Sequence, residues 1–302
     1  MRGATEERHS IAALGDGKHA NVLEITGSGM LPSGPYFYLD MILCDFSLKD
    51  YLSDPDAYAV LFSSRPSDLV FGPNHQSRVW EVILQACQGL SYIHQRGGLH
   101  LNLKPRNSII PLSSLLNLVL YNRNEGIWKV SDFGYSVARM TKIYQMTGPA
   151  ELMDSYRAPE LTCCFINKLA SPIRKVDEST DIWSLGCIIY ELLTGKYAFL
   201  NANDALQGNL DWTFTGGNVV KFDERARCVL RELSMHMVQT ESGRRLPIRT
   251  VLDVLSVTGL WDRTIVWTRE CRHYEFIRES MDAVAAPGNH SIWKYVHLST
   301  GR

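Results

Sequence analysis

Apolar residues recur at helical spacing in one segment above all others. Val79, Ile83, Ala86, Leu90 and Ile93 fall at three- and four-residue steps, a pattern that predicts an amphipathic helix. Gln76, Arg78, Glu81 and Gln85 are expected on its solvated side, and Gly97-Gly98 is the expected stop. The stretch from Thr180 to Thr194, TDIWSLGCIIYELLT, is apolar on most sides and predicts a second, buried helix. Further helices are expected at Asp223 to Gln239 and Ile248 to Val257.

The beginning of the chain has a different texture. Thr5 to Leu14 predicts a short helix with Ile11 and Leu14 on one face, closed by Gly15-Asp16-Gly17. Asn21 to Ile25 reads as a strand, Gly27-Ser28-Gly29 as a turn, and the aromatic run from Pro35 to Leu43 as another strand. Asp45 to Leu52 predicts one or two helical turns. Ser53 to His75, with Pro55, Pro66 and Pro73, predicts a loop. Strands early and helices late give an α+β fold dominated by helix.

Composition narrows the class of protein. The 302 residues are 45% hydrophobic and 21% charged, as in ordinary globular chains. Lysine and arginine number 31 against 32 acidic residues, a balance of −1 that gives no electrostatic footprint for nucleic acid or a membrane surface. No apolar run reaches the roughly 18 residues of a membrane helix, and Met1 to Glu7 lacks a signal core. The 7 cysteines are odd in number and scattered, without a C-x-x-C pair. An intracellular location, cytoplasmic or nuclear, is the expectation.

Candidate chemistry runs from the end of the first strong helix into the start of the second, in a fixed order. His100-Leu101-Asn102-Leu103-Lys104-Pro105-Arg106-Asn107 comes first, then Asp132-Phe133-Gly134, Ala158-Pro159-Glu160, and Asp181-Ile182-Trp183-Ser184-Leu185-Gly186. This order resembles the carboxy-terminal lobe of a eukaryotic-type protein kinase. The hinge-like stretch YLDMILCDFSLKDYL and the phrase LKPRN are most similar to fungal protein kinases. The resemblance runs from about Glu7 to about Val257.

It implies an α+β, protein-kinase-like fold: a truncated amino-terminal sheet lobe at residues 1–44, the helical lobe at 45–257, and an extension at 258–302. It also implies ATP with Mg²⁺. Asp132 would supply a carboxylate and Asn107 an amide oxygen, the hard donors that Mg²⁺ takes. Lys104 would neutralise charge on the transferred phosphoryl group, and a lysine there implies Ser/Thr specificity. Leu43 and Cys44 fall at the nucleotide-facing hinge, and Leu120 at the apolar floor beneath the adenine. The implied structural roles are the helix glutamate for Glu7, a spine residue for His100, a buried ion pair for Glu160 with Arg245, and an anchor of the catalytic-loop backbone for Asp181.

The departures from the family pattern are as informative. Asn102 stands where the family has its catalytic aspartate; an amide orients a hydroxyl but has no useful basicity, and losing such a base costs on the order of 10²–10⁴ in rate. Leu101 stands where an arginine would receive an activation-segment phosphate. No GxGxxG or VAIK-like lysine occurs, which weakens the hold on ATP. Ser108 to Leu118 interrupts the expected hairpin and reads as a retained intron or a surface insertion. Three functions follow: an impaired ATP-dependent Ser/Thr kinase acting on a protein substrate, a pseudokinase that binds or scaffolds, or a fragment without a function of its own.

Overall fold

The structure is a computed structural model that describes residues 18–31, 37–53, 75–101, 103, 119–131, 137–138, 156–161, 176–213, 222 and 224–260. The short helix expected at Thr5 to Leu14 and the stretch Ser108 to Leu118 lie outside them. The chain divides into two compact units, residues 1–152 and 153–302.

In the first unit, β1 (Ile25–Met30) and β2 (Phe37–Met41) form an antiparallel ribbon, with Ser28 opposite Leu39 and Gly29 opposite Tyr38. β3 (Phe46–Ser47) runs straight into α1 (Leu48–Ser53), so the helical turns expected from Asp45 begin with a strand. α2 spans His75–Gln95, followed by β4 (Gly98–Leu99). β5 (Val119–Asn122) and β6 (Ile127–Val130) make a hairpin that β3 joins along β5, and β4 pairs with β7 (Val137–Ala138). The core beneath the hairpin is aromatic. Trp128 lies 5.5 Å from Phe46, 6.0 Å from Tyr51 and 5.2 Å from Tyr121, centroid to centroid, in edge or tilted contacts that add to area burial.

Three expectations are corrected here. Gly27-Ser28-Gly29 is not a turn but the middle of β1. Glycine is suited to that strand because the Tyr38 side chain lies across it: a Cβ on Gly29 would sit 2.8 Å from the Tyr38 hydroxyl. Asn21 to Ile25 is not a strand of its own. It begins as a tight turn, with Val22 N–H donating to the His19 carbonyl, and reaches β6 through a single parallel bridge from Val22 to Val130.

The third correction concerns α2. Arg78 and Glu81 are buried, not solvated. For Glu81 the reason is its partner Gln85, which is bonded to the neighbouring hairpin. Gln85 donates to Glu81 at 2.9 Å, while its own carbonyl oxygen accepts from the Trp128 N–H at 2.6 Å and from Asn21 Nδ2 at 3.3 Å. The polar side of this helix is therefore a hydrogen-bonding face toward β6 and the 19–23 segment.

The second unit is built on α3 (Glu178–Thr194), buried at every position from Thr180 to Thr194. Asp177 caps its start by accepting from Ser179 N–H, and Gly195 ends it in the left-handed region with φ 69°. α4 (Ala202–Gln207) follows, then α5 (Glu224–Met237), a 3₁₀ turn at Ser242–Arg244 and α6 (Ile248–Leu260), which continues past the expected end at Val257. α3 crosses α5 at Gly186, whose carbonyl accepts from Ser234 Oγ at 3.0 Å. Also on α3, Trp183 stacks on Phe199 at 5.2 Å.

Candidate functional site

The segment carrying Asn102 leaves β4 through His100 and Leu101. His100 is fully buried, and its ring Nε2 lies 2.9 Å from the Ser131 carbonyl, a donor–acceptor pair when that nitrogen carries the proton. Ser131 immediately precedes Asp132. β4 also pairs with β7, which follows Asp132-Phe133-Gly134 in the sequence, with Gly98 opposite Ala138 and Leu99 opposite Val137. The described backbone preceding Asn102 is thus tied to Ser131 and to Val137–Ala138.

Leu101 has φ 62°, the only non-glycine with positive φ among the described residues. For a branched side chain this conformation costs roughly 1–2 kcal/mol. Leu101 and Leu103 are both buried, so the residues on either side of Asn102 are anchored in apolar surroundings. Where an arginine would face an activation-segment phosphate, a leucine joins the core. Asn102, Lys104, Asn107, Asp132 and Glu7 lie outside the described residues.

Leu43, Cys44 and Leu120 are among the described residues. Leu43 is 89% exposed and Cys44 half-buried. Burial, opposed by the nearby Lys129 cation, pushes the Cys44 thiol up to about 11. Asp45 fastens the end of this stretch to the hairpin: its N–H donates to the Tyr121 carbonyl at 2.9 Å, and its carboxylate accepts from the Arg123 N–H at 2.8 Å. Leu120 is half-buried on β5, alternating with the buried Val119 and Tyr121.

In the second unit the Glu160 carboxylate accepts from both terminal nitrogens of Arg245, at 2.6 and 2.8 Å. Arg245 also donates to the carbonyls of Ser179 and Gln239, and its guanidinium lies 5.0 Å from the centre of the Trp183 ring. Sequence reasoning missed Thr180, whose hydroxyl donates to Glu160 at 2.8 Å, and Tyr156, whose hydroxyl donates to the buried Glu191. A polar residue in an otherwise apolar helix face is the signal for both Thr180 and Glu191. Asp181 is fully buried in the first turn of α3, where the helix dipole favours a carboxylate.

Among the described residues there is no cluster of three or more His, Cys, Asp or Glu able to hold a metal.

An α+β chain with this motif order, this hairpin and this buried glutamate–arginine pair has the build of a protein kinase. The family model described as protein kinase domain matches residues 3–253, and the chain belongs to that family, whose members generally use ATP and Mg²⁺. It is 31% identical over 198 residues to the serine/threonine-protein kinase PknB of Mycobacterium tuberculosis, covering 64% of this chain and 25% of that protein. It is 31% identical over 191 residues to the serine/threonine-protein kinase TOS3 of Saccharomyces cerevisiae, covering 63% of this chain and 30% of the relative. Similarity to the MAP kinase kinase kinase SSK2 of the same yeast is 23% over 189 residues. The chain therefore spans about a quarter to a third of the length of the first two relatives. Among the described residues no helix is long and apolar enough to cross a membrane.

Proposed function

We propose that this chain is a Ser/Thr-kinase-type domain whose phosphotransfer is impaired at the proton-accepting step. The reading rests on one observation: Asn102, an amide at the catalytic aspartate position, is flanked by the buried Leu101 and Leu103. Its local anchorage supports a role in orienting a substrate hydroxyl, and its chemistry withholds the base. Asn107 and Asp132 would hold Mg²⁺ with the nucleotide, and Lys104 would meet the charge of the transferred phosphoryl group. Leu43, Cys44 and Leu120 would border the adenine. ATP supplies the phosphoryl group when bound, and a Ser or Thr hydroxyl of a protein substrate receives it.

A second reading is a pseudokinase that binds partners without transferring phosphate. The Leu101 substitution favours it, since the usual phosphate-receiving cation is replaced by a core residue. In both readings residues 1–44 form what is present of the sheet lobe, 45–257 the helical lobe and 258–302 an extension.

The test is a thermal-shift titration with Mg·ATP together with a phosphate-transfer assay on wild type and Asn102→Asp. Nucleotide binding raises the melting midpoint by mass action. The expected result is a shift in both proteins and a rate gain of about 10²–10⁴ in Asn102→Asp. No shift at millimolar nucleotide overturns the nucleotide reading. A shift without transfer in either protein supports the pseudokinase. Transfer by the wild type that Asn102→Asp does not increase refutes impairment at the base.

A further inference from the structure

We propose that His19 is a proton-sensitive clasp: its neutral ring holds the 19–23 segment against β6 and α2, and proton uptake at Nδ1 releases this seam. The inference goes beyond the catalytic reading and does not depend on it.

The seam is short and held by several hydrogen bonds. The Asn21 backbone N–H donates to His19 Nδ1 at 3.1 Å. The Asn21 side-chain amide donates to the Trp128 carbonyl at 2.9 Å and to Gln85 Oε1 at 3.3 Å. Its own carbonyl accepts from the Val130 N–H at 2.9 Å, and the Leu23 N–H donates back to the Val130 carbonyl at 2.8 Å. Asn21 and Val22 are buried. The helix is pressed close: a Cβ on Gly89 would lie 2.3 Å from the Asn21 carbonyl oxygen.

This arrangement requires one tautomer of His19. Nδ1 must present its lone pair to the Asn21 N–H, so the ring proton sits on Nε2. A second proton adds to Nδ1 and turns it into a donor facing a donor. The Asn21 N–H, whose bond to His19 is part-buried, then loses its acceptor.

The surroundings also oppose the cation. From α2, the His19 ring meets Tyr92 at 4.7 Å, and the Arg96 guanidinium covers the same tyrosine at 3.9 Å. From the hairpin, Lys129 donates to the Ala20 carbonyl at 2.9 Å; Glu125 pairs with Lys129 at 2.9 Å and offsets part of its charge. On its own segment the neighbour is Lys18. Burial first, then Arg96 and Lys129, hold the His19 imidazolium below the ordinary histidine range. The sign follows. The released segment binds the proton more readily than the clasped one, so the clasp is complete above the ordinary histidine value near 6.5 and weakens as pH falls below it.

The decisive experiment is hydrogen exchange on the full chain, following the amides of Asn21, Leu23 and Val130 from pH 7.5 to 5.5 and correcting for intrinsic rates. The expected opening constant of these amides rises below pH 6.5 by up to about tenfold per pH unit, the limit for one proton. In His19→Gln, which keeps an acceptor and cannot titrate, the corrected opening is flat. Equal pH dependence in wild type and His19→Gln overturns the proposal. A direct NMR titration of His19 in the wild-type chain does not depend on the variant folding. A value below the ordinary range that rises in Arg96→Gln supports the clasp, and a value at or above 6.5 overturns it.

Discussion

Removing Arg245 isolates a buried carboxylate. The Glu160 and Arg245 side chains are 2% and 0% exposed, and they meet through two parallel hydrogen bonds of 2.6 and 2.8 Å. Arg245→Met keeps much of the side-chain length and loses every donor. Glu160 is then left with the Thr180 hydroxyl, at 2.8 Å, while the carbonyls of Ser179 and Gln239 lose their bonds to Arg245. Breaking a buried pair from one side costs about 3–5 kcal/mol, because the remaining charge stays in a poor solvent. For a domain with roughly 5–15 kcal/mol in total, that is a large fraction. With a urea slope near 2 kcal/mol/M, the midpoint falls by about 1.5–2.5 M.

Glu160→Gln is expected to cost less, since Arg245 keeps two carbonyl acceptors and its Trp183 contact. The double variant then loses less than the sum of the singles, by at least ~1 kcal/mol, because no uncompensated charge remains. Salt has little effect on a pair this buried. Urea unfolding of the four proteins completes the cycle. A loss below ~1 kcal/mol in Arg245→Met, or additivity within ~0.5 kcal/mol, would falsify the claim that this pair holds the helical turn at 159–161 to the start of α3.

Two further outcomes are expected. Gly186→Ala reverses the usual helix preference for alanine: the new Cβ would lie 2.7 Å from Val238 Cγ2 and 2.8 Å from Met237 Cβ, and the overpacking costs about 1–3 kcal/mol by denaturant unfolding, so a more stable variant refutes the close crossing. Cys44, with its thiol near 11 instead of 9.0, carries about 10⁻³ thiolate at pH 8, so iodoacetamide labels it roughly a hundredfold more slowly than an ordinary thiol and its rate climbs until about pH 11; peptide-mapped labelling at the ordinary rate contradicts the burial argument.

What the sequence made legible was local or borne by motif. The apolar period around Val79 to Ile93 and the continuous run from Thr180 to Thr194 each correspond to a helix, because a helix's buried stripe is written within the helix itself. Arg78 and Glu81 were placed on the wrong side for the converse reason. For Glu81 the face is set by β6 and by Asn21, which bond its partner Gln85 from 43 and 64 residues away, and no period within α2 encodes those neighbours. The glycines of β1 were misread because a turn and a strand crossed by Tyr38 both call for a missing side chain. Glu160 and Arg245 lie 85 residues apart, and only the resemblance to a family linked them before the geometry did.

The segment around Asn102 separates two properties that are easily run together: holding a residue in place and giving it chemistry. The His100–Ser131 bond, the β4–β7 pairing and the burial of Leu101 and Leu103 hold the backbone on both sides of Asn102, and none of them uses the side chain of residue 102. The left-handed conformation at Leu101 costs roughly 1–2 kcal/mol, while burying one leucine side chain contributes about 1.5–3 kcal/mol, so the packing is sufficient to keep the strained turn. Asparagine and aspartate have nearly the same shape. An exchange at residue 102 therefore changes basicity and charge while leaving these backbone supports in place, and a rate gain in Asn102→Asp without a change in unfolding midpoint would report on proton transfer and not on repair of the fold.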